Sequence, residues 1–325
     1  MSPADPLAVP SPSTALHGAP EPARAGNILI GTASWTERTL LQSKAFYPPA
    51  VKTPADRLRY YARHFPVVEV DATYYALPSA RTAQLWAERT PADFVFGVKA
   101  FAALTGHPLE PKRLDPDLAA ELPGPLRRAA VVRASEIPPD LLARIWQRFA
   151  DALAPLRAVG KLGYVLVQLP PWFHPTRDSF DYLAALPERL RGLPIALELR
   201  SAQWFTHERG VQTLSRLRAL GLSYVSVDEP QGTPASVPPL AVATHDDFAV
   251  VRFHGRRADT WTGANVGTSE RFRYTYTTAE LQEWVPRLRT MARTTRRVYA
   301  LMNNCYRESA VQNAKDLARL LVARP

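Results

Sequence analysis

Eight short runs of β-branched, aliphatic and aromatic residues recur along the chain, and the gaps between most of them hold a helix. They are ILIGT at 28–32, VVEVD at 67–71, FVFGVK at 94–99, YVLVQL at 164–169, IALEL at 195–199, YVSVD at 224–228, AVVRFH at 249–254 and VYALMN at 298–303. Most are apolar at consecutive positions, as strands covered on both faces in a parallel sheet should be. Helix signals separate them. Thr53-Pro54 opens a helix with a cap and a first-turn proline, Ser79 opens another, and Thr277 to Glu280 has capping-box spacing. Leu141, Ile145, Trp146 and Phe149 keep one helical face, and Leu214, Leu217 and Leu220 keep another. The connection before the seventh run shows no helix. This alternation predicts a closed α/β barrel of the (β/α)8 TIM type, built as one domain with a long insertion after the third strand. An open doubly wound sheet is the alternative. It calls for a glycine-rich phosphate turn after its first strand, and Gly31-Thr32-Ala33-Ser34-Trp35 contains no GxGxxG. No nucleotide-cofactor motif is present.

Residues 1–26 hold six prolines and no apolar periodicity, so a disordered Pro-rich tail is expected there, followed by the barrel domain at 27–325. The tail lacks the basic start and apolar block of a secretory signal, and the expected location is the cytoplasm. A lone cysteine, Cys305, excludes an intrachain disulfide, a four-cysteine zinc site and a CxxC pair. No apolar run reaches the ~18 residues of a membrane span. The connection 100–163 carries Lys112, Arg113, Arg127, Arg128 and Arg133 and leaves the third strand at its C-terminal end, where it could form a basic lid. No feature of the sequence fixes an oligomeric state.

Chemistry in such barrels sits at the C-terminal ends of the strands, and residues two apart share a face. Glu69 and Asp71, Lys99, Gln168, Glu198 and Arg200, Asp228, Arg252 and His254, and Asn303 all stand at that end of their strands. With Thr32 and Ser34 on the first strand, every strand places polar residues together. If these faces point inward, one pocket collects them all. Buried ions cost several kcal/mol each unless paired, so apolar filling would be cheaper and a function is implied. The bland account is an ion-pair ring that only closes the barrel, and Glu69, nearer mid-strand, fits that account best.

General acid–base chemistry suits this set. Glu198, Asp228 and Asp71 are candidate carboxylates, and His254 is a proton carrier or a histidine bridging to a carboxylate. Arg252 and Arg256 suit a phosphate or carboxylate through a planar fork, Arg200 and Lys99 add charge, and Gln168 and Asn303 offer hydrogen bonds. Trp35 and Trp261 follow strand ends and could stack on a ring. Trp172 and Trp204 do so too, or only pack loops onto the rim. A divalent cation among Asp71, Glu198, Asp228 and His254 fits their chemistry, although Arg200 and Arg252 oppose its charge. Cys305 reads as a buried thiol. A net charge of +10 favours anionic partners. Part of that excess (Arg287, Arg289, Arg293, Arg296 and Arg297) precedes the last strand and leads to the opposite end. The first expectation is an enzyme, a hydrolase or isomerase, acting on a small anionic ring-containing ligand such as a sugar phosphate, nucleotide or nucleic-acid end. A non-catalytic nucleic-acid-binding protein and a structural scaffold are the alternatives.

Ordered motifs support a kinship. Gly31-Thr32-Ala33-Ser34-Trp35, Phe46-Tyr47-Pro48, Val68-Glu69-Val70-Asp71-Ala72-Thr73-Tyr74-Tyr75, Phe96-Gly97-Val98-Lys99-Ala100, Gln168-Leu169-Pro170-Pro171, Glu198-Leu199-Arg200, Arg252-Phe253-His254-Gly255-Arg256 and Asn303-Asn304 follow one another. Together they resemble the YecE-like family, a domain of unknown function (number seventy-two), from Ile28 to the C-terminus. The resemblance implies a TIM-like barrel and supplies no activity. Ala33 departs from the family's usual Ser or Gly, and Asp71-Ala72 from its common Asn-Ser, which adds a negative charge.

Overall fold

A computed structural model describes residues 23–206, 209–233, 236–261 and 267–323. Its sheet runs in sequence order: β1 (Arg24–Ala25), β2 (Ile28–Ala33), β3 (Val67–Val70), β4 (Val95–Lys99), β5 (Leu162–Gln168), β6 (Ile195–Glu198), β7 (Ser223–Asp228), β8 (Phe248–Phe253) and β9 (Arg297–Met302). Strands β2 to β9 are parallel. The last pairs back on the first, from Ile28 opposite Val298 to Thr32 opposite Met302, and so closes an eight-stranded barrel. All eight predicted runs are strands, and helices surround them as the (β/α)8 reading expects. No helix among the described residues is long and apolar enough to cross a membrane.

Local chemistry explains the helix starts. Thr53 and Asp56 exchange capping-box bonds at the start of Pro54–His64, Ser79 caps Ala80–Glu88, and Thr277 and Glu280 cap Thr278–Thr294. No described residue between Glu229 and Asp247 is helical, as expected. The N-terminal boundary needs correction. Residues 1–22 of the expected tail lie outside the described residues, but Ala23 is buried, and Arg24 and Ala25 pair antiparallel with Leu29 and Ile28 across a turn at Gly26 (φ +59°). Backbone pairing was invisible in a segment without apolar periodicity.

The insertion is folded. Leu109, Leu114, Leu118, Leu122, Val132 and Ile137 are buried, Leu109 and Val132 exchange backbone hydrogen bonds of 2.8 and 2.7 Å, and helices Pro139–Ala152 and Ala154–Ala158 return the chain to β5. Burial of these apolar side chains holds it down, each contributing about 1.5–3 kcal/mol.

The barrel interior is a packed core in its lower part. Leu29, Val67, Val95, Leu166, Ala196, Val225, Val227, Val250 and Leu301 fill it, with Tyr164, Phe248 and Tyr299 as its large aromatic members. Gly97 makes room for Tyr164: a Cβ there would lie 2.3 Å from the ring carbon Cζ. The ring is thereby free to aim its hydroxyl at Glu69, 2.9 Å away. Gly97→Ala should therefore displace Tyr164 and cost about 1–3 kcal/mol in urea unfolding, as overpacked cores do. Gly267→Ala, with no atom near its added methyl, should stay within about 0.5 kcal/mol of wild type.

Candidate functional site

Above the aromatic layer, charge replaces hydrocarbon. The Arg252 side chain from β8 is 1% exposed and spans the barrel. Its Nη1 donates to Glu198 Oε2 and its Nη2 to Glu69 Oε1, both at 2.6 Å. Glu198 Oε1 takes Gln168 Nε2 at 2.7 Å and also binds Arg200 Nε. Arg200 reaches His254 Nε2 at 3.0 Å and Glu229 Oε2 at 3.4 Å, and the Asn303 amide lies 2.9 Å from His254 Nδ1. Glu69, Gln168, Glu198, Arg200, Arg252, His254 and Asn303 thus converge as the sequence predicts.

The electrostatics of this layer follow from pairing. Burial would raise the Glu198 carboxyl, but Arg200 and Arg252 hold it well below the usual carboxylate range. Glu69 has Arg252 and the Tyr164 hydroxyl against complete burial, and its carboxyl is raised. Burial also lifts Glu229 to about 7, against Arg200 and the Val237 amide that donates to it at 2.7 Å. Burial and Arg200 push His254 down to about 3, so the imidazole is neutral. Arg200 can only donate to Nε2, whereas Glu198 Oε1, 3.3 Å from the same nitrogen, can only accept, so the two neighbours call for opposite tautomers. A guanidinium against a desolvated imidazole disfavours a second charge there.

Two strands are in the opposite phase to that expected. In β7, Val225 and Val227 face the interior and Asp228 faces the helices. Asp228 accepts Trp284 Nε1 at 2.5 Å, Tyr276 Oη at 2.8 Å and the Arg256 fork at 2.9 and 2.7 Å. Arg256 continues to Glu283 at 2.8 Å. Neither Asp228 nor Arg256 lines the barrel mouth, so the catalytic and ligand-binding roles expected of them are withdrawn. In β2, Leu29 faces inward, and the Thr32 amide and hydroxyl meet Tyr61 Oη, both at 2.9 Å. A run apolar on both faces carries no phase information. Glu229, one residue past Asp228, is the inward carboxylate that the sequence reading missed. Of the donors considered for a cation, Glu198 and His254 lie 3.3 Å apart but Asp228 faces away, and no cluster of three His, Cys, Asp or Glu suited to a metal occurs among the described residues.

A cavity of about 640 Å³ opens over this charged floor at the C-terminal face. Asp71, Lys99, Gln168, Arg200, Asn303 and Trp261 line it as expected. His107, Tyr74, Trp172, Arg271, Phe272 and Cys305 also line it, mostly from loops whose strand phase gives no forecast. Ser34 sits at the rim with φ +69°, a costly conformation for a side chain with a Cβ. Trp261 lies 5.2 Å from the Arg200 guanidinium and 5.9 Å from His254. Trp172 is 58% exposed, its edge toward His107. Trp204 is fully buried and donates to Phe173 O at 2.7 Å, a packing role. Trp35 is also buried, edge-on to Trp86 and away from the cavity, which corrects its expected stacking role. The basic lid is corrected too. Lys112, Arg113, Arg127, Arg128 and Arg133 do not line the cavity, Lys112 and Arg113 pair with Glu110, and His107 is the insertion's contribution. Cys305 is half-buried, its thiol against Ala33 O at 2.9 Å, and burial raises its pKa.

Arg252→Met should strand two buried carboxylates and cost about 3–5 kcal/mol in chemical denaturation. Glu229 gives a pH signature. Its folded value, about 7, exceeds the usual 4.5, so the folded state holds the proton longer than the unfolded chain. Its contribution is full below pH 4.5 and is lost as pH rises through about 7. Between these limits wild type should lose up to about 3 kcal/mol relative to Glu229→Gln, measured by unfolding at each pH.

Comparison with known proteins agrees with this fold. A family model described as "Protein of unknown function DUF72" matches residues 29–325. The UPF0759 protein YunF of Bacillus subtilis is 33% identical over 298 residues, covering 90% of this chain and 94% of YunF. The UPF0759 protein YecE of Escherichia coli is 29% identical over 204 residues, 62% of this chain and 59% of YecE. A DUF72 family protein of Enterococcus faecalis superposes with a TM-score of 0.73 at 26% identity, over 92% of this chain and 96% of the other. One from Thermotoga maritima gives 0.71 at 27%, over 91% and 99%. With a matching family model from the first barrel strand to the C-terminus and a relative this similar over nearly its whole length, the chain belongs to the DUF72 family.

Proposed function

We propose that the cavity at the C-terminal face is the active site of an enzyme that uses acid–base chemistry on a small anionic ligand. One observation carries this reading. Asp71 Oδ1 is buried at the cavity wall and makes no hydrogen bond, with the Arg252 guanidinium 3.9 Å away. Native structures seldom leave a buried carboxylate oxygen unsatisfied, and an atom left so at a cavity is placed to receive a proton or a ligand donor. An ion-pair scaffold accounts for Glu69 and Glu198, each of which accepts from the Arg252 guanidinium. It reaches Asp71 only through the 3.9 Å approach of Arg252 and leaves its Oδ1 without a hydrogen bond.

In this reading the floor and the walls divide the work. Glu198, Gln168, Glu229, His254 and Asn303 lock the Arg200 side chain in place. Three of its N–H groups are engaged there, and the other two remain for a phosphate or carboxylate. Lys99 and Arg271 add positive charge to the same walls. Tyr74, Trp172 and Trp261 offer aromatic faces to a ring. Asp71 is the proton acceptor. Hydrolysis and isomerisation both fit a carboxylate beside an anion clamp.

Thermal unfolding with sugar phosphates, nucleotides and short single-stranded oligonucleotides, with and without divalent cations, tests the reading. A small anion at about 100 times its dissociation constant should add about 2.7 kcal/mol of stability. Oligonucleotide stabilisation that collapses between low and moderate salt, with none from small anions, would establish the nucleic-acid alternative instead. Asp71→Asn should leave unfolding stability within about 0.5 kcal/mol of wild type, because no hydrogen bond is lost, yet abolish turnover of whichever anion binds. A variant that unfolds like a broken ion pair would return Asp71 to the structural network.

A further inference from the structure

Two lysines of this arginine-rich chain lie against the barrel, and they are used in opposite ways. Lysine supplies only six of the 40 basic residues: Lys44, Lys52, Lys99, Lys112, Lys161 and Lys315. Lys161 is buried below β4, where its ammonium donates to Ala87 O at 2.6 Å, Thr90 O at 2.8 Å and Thr90 Oγ1 at 3.1 Å. Those bonds occupy all three of its protons at the end of helix Ala80–Glu88. Lys99, the last residue of β4, lines the C-terminal cavity and makes no hydrogen bond or ion pair among the described residues. Its nitrogen stands 4.7 Å from the centre of the Tyr74 ring. The Thr73 hydroxyl donates to the Lys99 carbonyl at 2.6 Å and to Val70 O at 3.0 Å, so the strand end that carries the amine is fixed.

A guanidinium would bind an anion better here, through its planar fork, and arginine fills most basic positions of the chain. Lysine has one capacity that arginine lacks: it can lose its proton and attack carbon. The surroundings favour that form. Burial pushes the Lys99 amine below its ordinary value, Asp71 draws it partly back, and Arg252 pushes it down again. The unpaired Asp71 oxygen shares the cavity.

We infer that Lys99 is a nucleophile that forms an imine with the carbonyl carbon of an anionic aldehyde or ketone bound in this cavity. The inference rests on the reading of the cavity as an active site and names its substrate class. The free amine adds to the carbonyl carbon, and the C=O π pair moves onto oxygen. Asp71 takes a proton from the attacking nitrogen and returns it to that oxygen, which gives a carbinolamine. One further proton from solvent lets the hydroxyl leave as water while the nitrogen lone pair closes the C=N bond. The balance is amine plus carbonyl plus one proton, giving a protonated imine and water. No oxidant or reductant is consumed.

The test is reductive trapping on the full chain with pyridoxal phosphate, an anionic aromatic aldehyde, followed by borohydride and peptide mass mapping. Burial lowers the Lys99 amine and so raises its share of free amine at neutral pH, so Lys99 should be trapped faster than the exposed Lys44, Lys52 and Lys112. Orthophosphate should slow trapping at Lys99 and not at those three. Lys99→Arg should lose the adduct and keep thermal stabilisation by orthophosphate. Stabilisation of wild type by orthophosphate or pyridoxal phosphate without a Lys99 adduct would overturn the imine and leave the active-site reading standing. Adducts spread over the exposed lysines alone, with no stabilisation by either probe, would overturn both.

Discussion

The upper half of the barrel is organised by one guanidinium. Arg252 reaches from β8 to Glu69 on β3 and Glu198 on β6 and so ties non-adjacent strands across the interior. Aliphatic residues would fill that volume at lower cost, because each buried ion forfeits hydration worth several kcal/mol. What the ion network adds is direction. A hydrocarbon layer holds side chains by volume, whereas a fork between two carboxylates holds them by angle. The Tyr164 hydroxyl, positioned by the absent side chain of Gly97, completes the acceptor bonds of Glu69 from below.

From that fixed centre the order passes outward. Glu198 orients Arg200, Arg200 fixes the neutral His254, and His254 meets Asn303. The Arg200 guanidinium lies over the Trp261 ring, 5.2 Å from its centre. Burial raises the Glu69 and Glu229 carboxyls in this layer. Most polar atoms of this floor are paired, the buried Arg252 Nε being an exception. Asp71 and Lys99 differ from it by leaving hydrogen-bonding capacity unused at the cavity wall. The proposed active site relies on such unused groups, since a group taken up by the fold cannot act on a ligand.

Much of this was legible in the chain. Strand positions follow from two-sided apolar runs, and the starts of three helices from Thr53, Ser79 and Thr277. The convergence of Glu69, Lys99, Gln168, Glu198, Arg200, Arg252, His254 and Asn303 follows from period-two alternation toward one strand end. Alternation failed where it had nothing to distinguish. YVSVD could face either way, and the packing of Trp284 and Tyr276 against Asp228 chose the outward phase, bringing Glu229 in instead. Loop residues had no period at all. Trp35 turns into the helix layer, while His107 and Trp172 arrive over the mouth from segments whose path depends on distant contacts.

By itself, then, the sequence determined the kind of barrel and which end of it carries polar groups, because those depend on local periodicity and on the order of elements along the chain. Only the tertiary structure decided which polar groups cancel one another and which remain for a ligand. That choice turns on angles and distances between side chains more than one hundred positions apart, such as Arg252 and Glu69, and no local pattern encodes them.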